Sequence, residues 1–302
     1  MAFNELNSVE HYIIHQLSGV NLNQQGVNDP AAPYGAQWVY CPSEALQRDV
    51  REVLVTADLQ AALIRLTPAI AARPDLADEV LYKLRAILVT VNQVGLVKAN
   101  EAFFQWMTGE KTLPFGDNNR HIPIRLIDFE DLSNNTYTIT NQYRIRHRDT
   151  KIPDVVLLIN GIPVVVGEAK TPIRPAISWL DGANDIHTTY ENAVPQLFVP
   201  NILSFATEGK ELYYGAIRCP LEFWAPWRLE QEETALAKRL GLSEVGKELS
   251  DLLHPARLLD ILRHFSLFST DKKSRRIKII PRFQQYEAAN KIVQRVKEGR
   301  IK

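Results

Sequence analysis

The chain has 302 residues, of which 45% are hydrophobic, so it is long enough for one large domain or two smaller ones with a real core. Lysine plus arginine and aspartate plus glutamate both total 35, so the summed charge provides no long-range attraction to nucleic acid or to an anionic membrane. Cys41 and Cys219 lack disulfide-framework or zinc-site spacing and are typical of a protein in the reducing cytoplasm. No signal-peptide pattern and no run near ~18 apolar residues occurs, so we expect a soluble protein without a membrane span.

The first predicted helix spans residues 8–19, with Ser8 as its N-cap and Gly19 as its terminator. Glu10 lies at helical spacing from Ile13, on the apolar stripe that should face the core. Two interpretations of Glu10 stay open. It is either a partly exposed residue at the edge of the stripe or a carboxylate directed inward at an acidic site, since a buried carboxylate needs a cation or a donor nearby.

A helical region follows at residues 43–109, and we interpret it as an insertion that serves packing. Its predicted helices span residues 43–55, 57–66, 76–92 and 97–108. Beyond it the hydrophobic period changes from that of a helix to that of a strand. This change predicts strands at 122–129 and 136–146.

The second of these strands predicts a basic edge. Arg144 and Arg146 lie on one of its faces, and Arg148 and Lys151 extend the positive charge along the chain. This edge is either a solvated outer face or a surface that contacts nucleic-acid phosphates beside Asp154.

The strongest local pattern in the chain is a hairpin. Two apolar runs at residues 155–159 and 162–167 meet at Asn160-Gly161, and this dipeptide between two such runs is the strongest short-range hairpin signal. Charged residues stand at the open end of the hairpin, namely Asp154, Glu168 and Lys170. The last two are two positions apart and therefore share one face of their strand.

These charged residues fit a magnesium site. Mg²⁺ prefers oxygen ligands and keeps several waters, so Asp154, Glu168 and the backbone carbonyl of Ala169 would be enough to hold it against a phosphate. A metal there would lower the pKa of a bound water, while Lys170 orients that water or stabilises the developing charge. The pattern predicts phosphodiester hydrolysis.

The register of the hairpin decides whether the two acids meet. A two-residue turn pairs residue 159 with 162 and hence 154 with 167, which puts Asp154 on the face opposite Glu168. A three-residue loop, Asn160-Gly161-Ile162 with a bulge at Gly161, instead pairs 154 with 168. We therefore predict this bulged register or a local kink at Asp154.

The rest of the chain is predicted to alternate between both element types. A helix is expected at 177–194 and strands at 201–206 and 212–217. A hydrophobic cluster of Phe223, Trp224 and Trp227 is expected to dock two segments rather than to bind a ligand. Further helices are expected at 229–240, 243–253, 255–268 and 287–298. The basic run at 272–278 is either a solvated face or linker, or a local phosphate contact.

The hairpin resembles a known family. Pro153-Asp154, the segment from Asn160 to Val164 and Glu168-Ala169-Lys170 resemble the PD-(D/E)xK nuclease motif of the restriction (R) subunit of type I restriction-modification enzymes. Glu10 matches the acidic residue of that family's first helix, and the similarity extends over nearly the whole chain. The resemblance implies that Asp154, Glu168 and Ala169 hold Mg²⁺, that Lys170 is the catalytic lysine and that Glu10 is an accessory acid.

Two further motifs bear on the resemblance. Tyr190 matches the family's auxiliary DNA-contacting motif, but the glutamine that often stands four residues earlier is replaced by Ile186, next to Asp185. The segment from Arg282 to Ala288 is similar to the start of a superfamily 2 motor, which implies nucleotide binding by Arg282 and adenine reading by Gln285. The chain has no Gly-x-x-x-x-Gly-Lys-[Ser/Thr] loop, so ATP would serve the full-length motor subunit.

Together these observations predict an α/β fold with a restriction-endonuclease-like core, a mixed central sheet flanked by helices, a helical insertion and a C-terminal helical linker. We expect a nuclease domain at 1–228, and a linker with the start of a motor domain at 229–302. The expected function is Mg²⁺-dependent, non-specific cleavage of duplex DNA, and the resemblance implies that it takes place in a complex with methyltransferase (M) and specificity (S) subunits. Two alternatives stay open: a non-catalytic docking or scaffold module, and a different PD-(D/E)xK enzyme such as a repair nuclease.

Overall fold

A mixed seven-stranded sheet organises the computed structural model, which describes residues 9–22, 32, 35–171, 176–228 and 244–299. The strands in chain order are β1 Val39–Tyr40, β2 Thr112–Leu113, β3 Ile122–Pro123, β4 Tyr137–Asn141, β5 Ile145–Arg146, β6 Thr150–Lys151, β7 Val155–Ile159, β8 Ile162–Ala169, β9 Leu203–Thr207, β10 Leu212–Gly215, β11 Ala225–Pro226, β12 Leu267–Thr270 and β13 Arg276–Ile279. The spatial order of the main sheet is β1-β4-β7-β8-β9-β10-β11. β1 runs parallel to β4 and β8 runs parallel to β9, while the other neighbours are antiparallel, which confirms the predicted mixed sheet.

Helices flank this sheet. The α-helices are α1 His11–Ser18, α2 Thr56–Leu66, α3 Pro68–Ala72, α4 Leu76–Val94, α5 Leu96–Met107, α6 Trp179–Asn184, α7 Glu191–Ala193, α8 Glu244–Leu252, α9 Pro255–Asp260 and α10 Phe283–Lys297. A π-helical stretch, Asp185–Tyr190, joins α6 to α7 without a break, and a second one, Ile261–Phe265, continues α9. Every helix in the described ranges is too short or too polar to cross a bilayer.

The hairpin strands β7 and β8 form the centre of the core. Every residue of both strands is buried, because β4 and β9 cover their edges and helices cover the sheet. α4 and α5 pack against each other and against a short 3-10 helix, Pro195–Phe198, that precedes β9. The helical region therefore serves packing, as the sequence predicted.

The predicted helix at 43–55 is wrong, because only a 3-10 turn, Ser43–Ala45, forms there. Side chains form hydrogen bonds with backbone N–H and C=O groups that would otherwise bond within a helix. The carboxylate of Asp49 accepts a hydrogen bond from the N–H of Arg51 at 2.8 Å, and the guanidinium of Arg48 donates to the carbonyls of Glu52 and Arg144. Short polar side chains compete with helical hydrogen bonds in this way.

Both strands predicted at 122–129 and 136–146 are shorter than expected. The first is reduced to Ile122–Pro123, because Pro123 has no N–H and Asp128 instead accepts hydrogen bonds from the backbone of a following turn. The second leaves the sheet after Asn141, because Gln142 has a left-handed φ of 49°. β5 and β6 then form a separate two-stranded hairpin.

Besides helices, the C-terminal region contains a hairpin of β12 and β13, which replaces the end of the helix predicted at 255–268 and includes the basic run at 272–278. Within this hairpin the side chain of Lys278 is buried, and its Nζ donates to the carbonyls of Asn201 at 2.6 Å and Ile202 at 2.8 Å. The ring of Phe268 packs edge-on against Phe104. The hairpin is therefore fixed to the segment between the 3-10 helix and β9.

Trp227 also docks the C-terminal region, as predicted for its cluster, whereas Phe223 of that cluster is 56% exposed. It is fully buried against rings of Tyr214 and Phe283, and its indole N–H donates to Asp251 at 2.7 Å. The division of the chain at residue 228 stays a prediction. The predicted helix at 229–240 and the predicted N-cap Ser8 lie outside the described residues.

Candidate active site at the end of the central hairpin

The turn of the hairpin is of the two-residue kind. Ile159 lies opposite Ile162, and both turn residues are left-handed, with φ of 51° at Asn160 and 75° at Gly161. These values fit the type I′ turn that the twist of a hairpin favours. The predicted three-residue loop with a bulge at Gly161 is therefore wrong.

The register nevertheless shifts, further along the hairpin. Leu158 lies opposite Pro163, whereas Leu157 lies opposite Val165, so Val164 is an extra residue on β8. Beyond this bulge Val155 lies opposite residue 167, and the pairing continues toward 154 and 168. The sequence contained one signal for it, since a proline inside a central strand is confined to bulges and strand starts.

The shifted register brings Asp154 beside the end of β8. Its Oδ2 accepts a hydrogen bond from the backbone N–H of Ala169 at 2.9 Å, and its Oδ1 accepts one from the side-chain amide of Gln142 at 3.2 Å. The same amide donates to Glu10 Oε2 at 2.6 Å, while Asn141 donates to Glu10 Oε1 at 2.7 Å. Glu10 is thus directed inward, next to Asp154, and is only 1% exposed.

Glu168 is buried at the end of β8. Its Oε1 accepts hydrogen bonds from Lys170 Nζ at 3.0 Å and from the hydroxyl of Tyr190 at 3.3 Å, whereas its buried Oε2 has no hydrogen-bond partner. The helix above it comes very close, because a Cβ at Gly182 would lie 3.3 Å from two carbons of the Glu168 side chain. Glycine at this position lets α6 cover the carboxylate.

The ammonium group of Lys170 lies between two carboxylates. Besides Glu168 it contacts Asp185, with 2.7 Å between Nζ and Oδ2. The sequence predicts Tyr190 as a residue of the site but does not predict Asp185. The signal was present, since an acidic residue stands directly before Ile186, where the auxiliary motif has its glutamine.

Burial and mutual repulsion shift the pKa values of these acids. Burial raises the pKa of Glu168 to about 8, the charge of Asp154 adds to the increase and the charge of Lys170 opposes it. Burial also raises the pKa of Glu10 to about 7, against the hydrogen bond from Asn141. Without a cation, these two buried carboxyl groups therefore bind protons more readily than ordinary glutamates do.

The two titratable hydrogen-bond donors of the site, Lys170 and Tyr190, stay protonated. Burial alone would lower the pKa of Lys170, but the carboxylates of Glu168 and Asp185 outweigh it and raise that pKa above its ordinary value. Burial, together with the charges of Glu168 and Asp154, raises the pKa of the Tyr190 phenol above its ordinary value. Both groups are thus donors at neutral pH.

Side chains alone do not complete a metal centre here. Within the described part of the chain, no group of three or more histidine, cysteine, aspartate or glutamate side chains is arranged to hold a metal ion. A cation at this site would need backbone, water or substrate oxygens besides Asp154 and Glu168. Mg²⁺ is commonly bound in this way, through one or two carboxylates plus waters and phosphate oxygens.

The remaining predicted site residues lie on other elements. The four predicted DNA-contacting residues of the basic edge lie in and around the β5–β6 hairpin that leads into Asp154. Lys151 is half-buried, and the other three are exposed, namely Arg144, Arg146 and Arg148.

The two predicted nucleotide-binding residues lie at the start of α10. There the side chain of Gln285 accepts a hydrogen bond from the N–H of Arg282 at 2.9 Å, so its carbonyl oxygen caps the helix. Both residues line a cavity of about 780 Å³ between β10 and β13.

Comparisons with known proteins agree on one family. The model of the family described as type I restriction enzyme R protein N terminus matches residues 4–222. The HindI type I restriction enzyme endonuclease subunit of Haemophilus influenzae is 29% identical over 250 residues, which cover 81% of this chain and 23% of the relative. A putative type I restriction enzyme endonuclease subunit of Methanocaldococcus jannaschii, MjaVIIIP, is 31% identical over 175 residues, or 57% of this chain and 16% of the relative. The chain thus spans less than a quarter of the length of these relatives.

Proposed function

The chain belongs to the family of type I restriction enzyme R protein N termini, and from this premise we propose that its central hairpin carries a Mg²⁺-dependent endonuclease site for duplex DNA. One observation carries the proposal. Glu168 Oε2 is buried without a hydrogen-bond partner, in a site where Asp154 adds a second carboxylate. A buried carboxylate oxygen of this kind is costly unless a cation compensates it.

The residues present fit a hard divalent cation. Asp154 and Glu168 would hold Mg²⁺ through their side chains, and Ala169 through its backbone carbonyl. The N–H of Ala169 points at Asp154, and in an extended strand the C=O of a residue faces the same neighbouring strand as its N–H. When bound, the ion would neutralise charge on a scissile phosphate and acidify a water molecule.

The other side chains of the site have separate tasks in this proposal. Lys170 is protonated, so it would donate hydrogen bonds to the attacking water or to a phosphate oxygen and stabilise the developing negative charge. Glu10 would act as an accessory acid that fixes Asp154 through the shared amide of Gln142. Tyr190 would hold Glu168 in place and lie near the DNA.

DNA binding in this proposal is independent of sequence. Phosphates beside the site would be contacted by the basic edge, which consists of Arg144, Arg146, Arg148 and Lys151. Contacts to phosphates position a protein on DNA without reading the bases. The choice of target would belong to the methyltransferase and specificity subunits. In the full-length subunit, ATP-driven translocation by a motor domain would precede cleavage, and Arg282 and Gln285 would contribute to its nucleotide site.

A cleavage assay on supercoiled plasmid tests the proposal. It compares the parent with Asp154→Ala, Lys170→Ala and the surface control Lys83→Ala, with Mg²⁺ and with a chelator. The same substitutions are introduced into a full-length R subunit assembled with its partner subunits and ATP, because cutting there does not depend on the activity of the isolated chain. We expect Mg²⁺-dependent cleavage that Asp154→Ala abolishes and that Lys170→Ala slows by roughly 10²- to 10³-fold. Cleavage that survives both would remove these residues from the mechanism.

A further inference from the structure

We propose that Asp185 is a positioning residue that holds the ammonium group of Lys170 toward the reacting phosphate. The inference rests on the proposed nuclease function and adds a residue to its site. Among the contacts of Lys170, the one to Asp185 is the shorter, at 2.7 Å, against 3.0 Å to Glu168. Ammonium–carboxylate hydrogen bonds in this range are among the strong ones in proteins.

The two partners of Lys170 differ in what a bound cation would do to them. Glu168 would give its oxygens to the metal, which weakens its hydrogen bond to Lys170 because the metal withdraws charge from the carboxylate. Asp185 lies at the rim of the site, where its side chain is 41% exposed, compared with 5% for that of Glu168. Asp185 is thus the partner that can keep Lys170 in place while the cation is bound.

The helix is built so that Asp185 reaches this position. Asp185 and Tyr190 are the first and last residues of the π-helical stretch, and they contact Lys170 and Glu168 respectively. In a regular α-helix, residues five positions apart point roughly 140° away from each other. Hydrogen bonding from i to i+5 in a π-helix instead brings such residues to one face, and π-helical turns recur at functional sites. The irregular turn therefore directs both side chains at the end of β8.

The experiment follows Lys170 directly by NMR. The ¹H–¹⁵N signal of its ammonium group is assigned by its disappearance in Lys170→Met and is then compared in the parent, Asp185→Asn, Asp185→Glu and Asp78→Asn. Asp78 is an exposed aspartate on α4 and serves as the matched control for the chemical change. Mg²⁺ affinity is measured by calorimetry on the same proteins, and the kcat and KM of cleavage are measured in the assembled complex.

We expect hydrogen exchange of the Lys170 ammonium group to be faster by about tenfold in Asp185→Asn, the effect of losing one charge-assisted hydrogen bond. Asp185→Glu should restore part of the protection, and Asp78→Asn should change nothing. Mg²⁺ affinity should stay within about twofold of the parent, and kcat should fall with little change in KM.

Two outcomes would overturn the inference. An unchanged Lys170 signal in Asp185→Asn would show that Asp185 does not position the lysine. A loss of Mg²⁺ affinity as large as that of Asp154→Asn would make Asp185 a metal ligand instead. The NMR signal does not depend on cleavage. If Lys170 shows the expected change but the assembled complex never cuts DNA, the proposed function is contradicted, while the contact between Asp185 and Lys170 is supported.

Discussion

The carboxylate of Asp154 accepts a hydrogen bond from the backbone N–H of Ala169, fifteen positions further along the chain. This contact exists because the register of the hairpin shifts at Val164. With regular pairing after the Asn160-Gly161 turn, Asp154 would face away from Glu168. The contact therefore joins the fold of the hairpin to the chemistry proposed for its open end.

We expect the contribution of Glu168 and Glu10 to stability, in the absence of divalent cations, to fall as pH rises from about 5 to 8. Glu168 and Glu10 have pKa values of about 8 and 7 in the folded state, above the ordinary value of 4.5, so between these values the folded state binds more protons than the unfolded state. Their contribution is complete below pH 4.5 and is lost as pH passes the folded pKa values. Urea denaturation at several pH values measures it. Glu168→Gln should flatten the slope, and Glu222→Gln, an exposed control, should not.

Addition of Mg²⁺ should reverse that loss. Metal ligands must be deprotonated, so the increase in Tm on adding Mg²⁺ should be larger at pH 8 than at pH 6. At a concentration one hundred times the Kd, the stabilisation should reach about 2.7 kcal/mol, and a chelator should remove it. Asp154→Asn and Glu168→Gln should abolish the increase. An equal Mg²⁺ effect in these two variants would contradict a cation held by this pair.

Lys170→Ala should separate catalysis from metal binding. Because Lys170 is proposed to stabilise charge rather than to hold the metal, its loss should lower the cleavage rate by roughly 10²- to 10³-fold and leave Mg²⁺ affinity nearly unchanged. Asp154→Asn should impair both. Single-turnover cleavage and calorimetry measure the two quantities. Equal effects of the two substitutions on Mg²⁺ affinity would assign Lys170 a different task.

Gly161→Ala should destabilise the chain far more than Gly109→Ala. Both glycines have nearly the same φ, 75° and 76°, so both variants carry a similar conformational cost. Only at Gly161 would the new Cβ collide with the backbone, at 2.5 Å from the carbonyl oxygen of Val55, whereas no atom lies within 4 Å at Gly109. Chemical denaturation should show about 1 kcal/mol for the control and several kcal/mol for Gly161→Ala. Similar values would mean that the turn can move away from α2.

Lys278→Ala should weaken the attachment of the β12–β13 hairpin. Lys278 is buried, burial holds its pKa well below the ordinary value, and its Nζ donates hydrogen bonds to two carbonyls. Its removal leaves a cavity and two unpaired carbonyls, which should cost about 2–4 kcal/mol. Lys272→Ala, an exposed position on the same hairpin, should change stability by less than about 0.5 kcal/mol. Hydrogen exchange of β13 amides should rise in the first variant alone.

The central hairpin can be predicted from the sequence, whereas parts of the surrounding structure cannot. β7, β8 and their Asn160-Gly161 turn follow from local patterns, because strand runs and turn dipeptides act within a few residues. The predicted helix at 43–55 does not form, because Asp49 bonds the local backbone and Arg48 also contacts the carbonyl of Arg144, a partner far away in sequence. Long-range side-chain contacts of this kind leave no periodic signal.

The candidate site was predictable in its acids but not in its arrangement. The Asp154, Glu168 and Lys170 pattern is visible in the sequence, whereas the bulge at Val164 lies in a uniform apolar run, with the proline at position 163 as its only mark. Asp185 could not be placed by α-helical spacing, because a π-helical turn changes the spacing locally. The burial of Lys278 does not follow from the basic run at 272–278, because it depends on how the β12–β13 hairpin packs against the rest of the chain.

The bulge at Val164 also sets a rule of parity for this hairpin. With a two-residue turn, residues that lie opposite each other are separated by an odd number of positions in the sequence, as are Ile159 and Ile162. Two acids separated by an even number of positions therefore share a face of the sheet only if one residue between them is left unpaired by a bulge. Asp154 and Glu168 are fourteen positions apart and satisfy this condition through Val164. Loss or gain of a single residue in the hairpin would reverse the parity and separate the acids, whereas changes of two residues would preserve the pair.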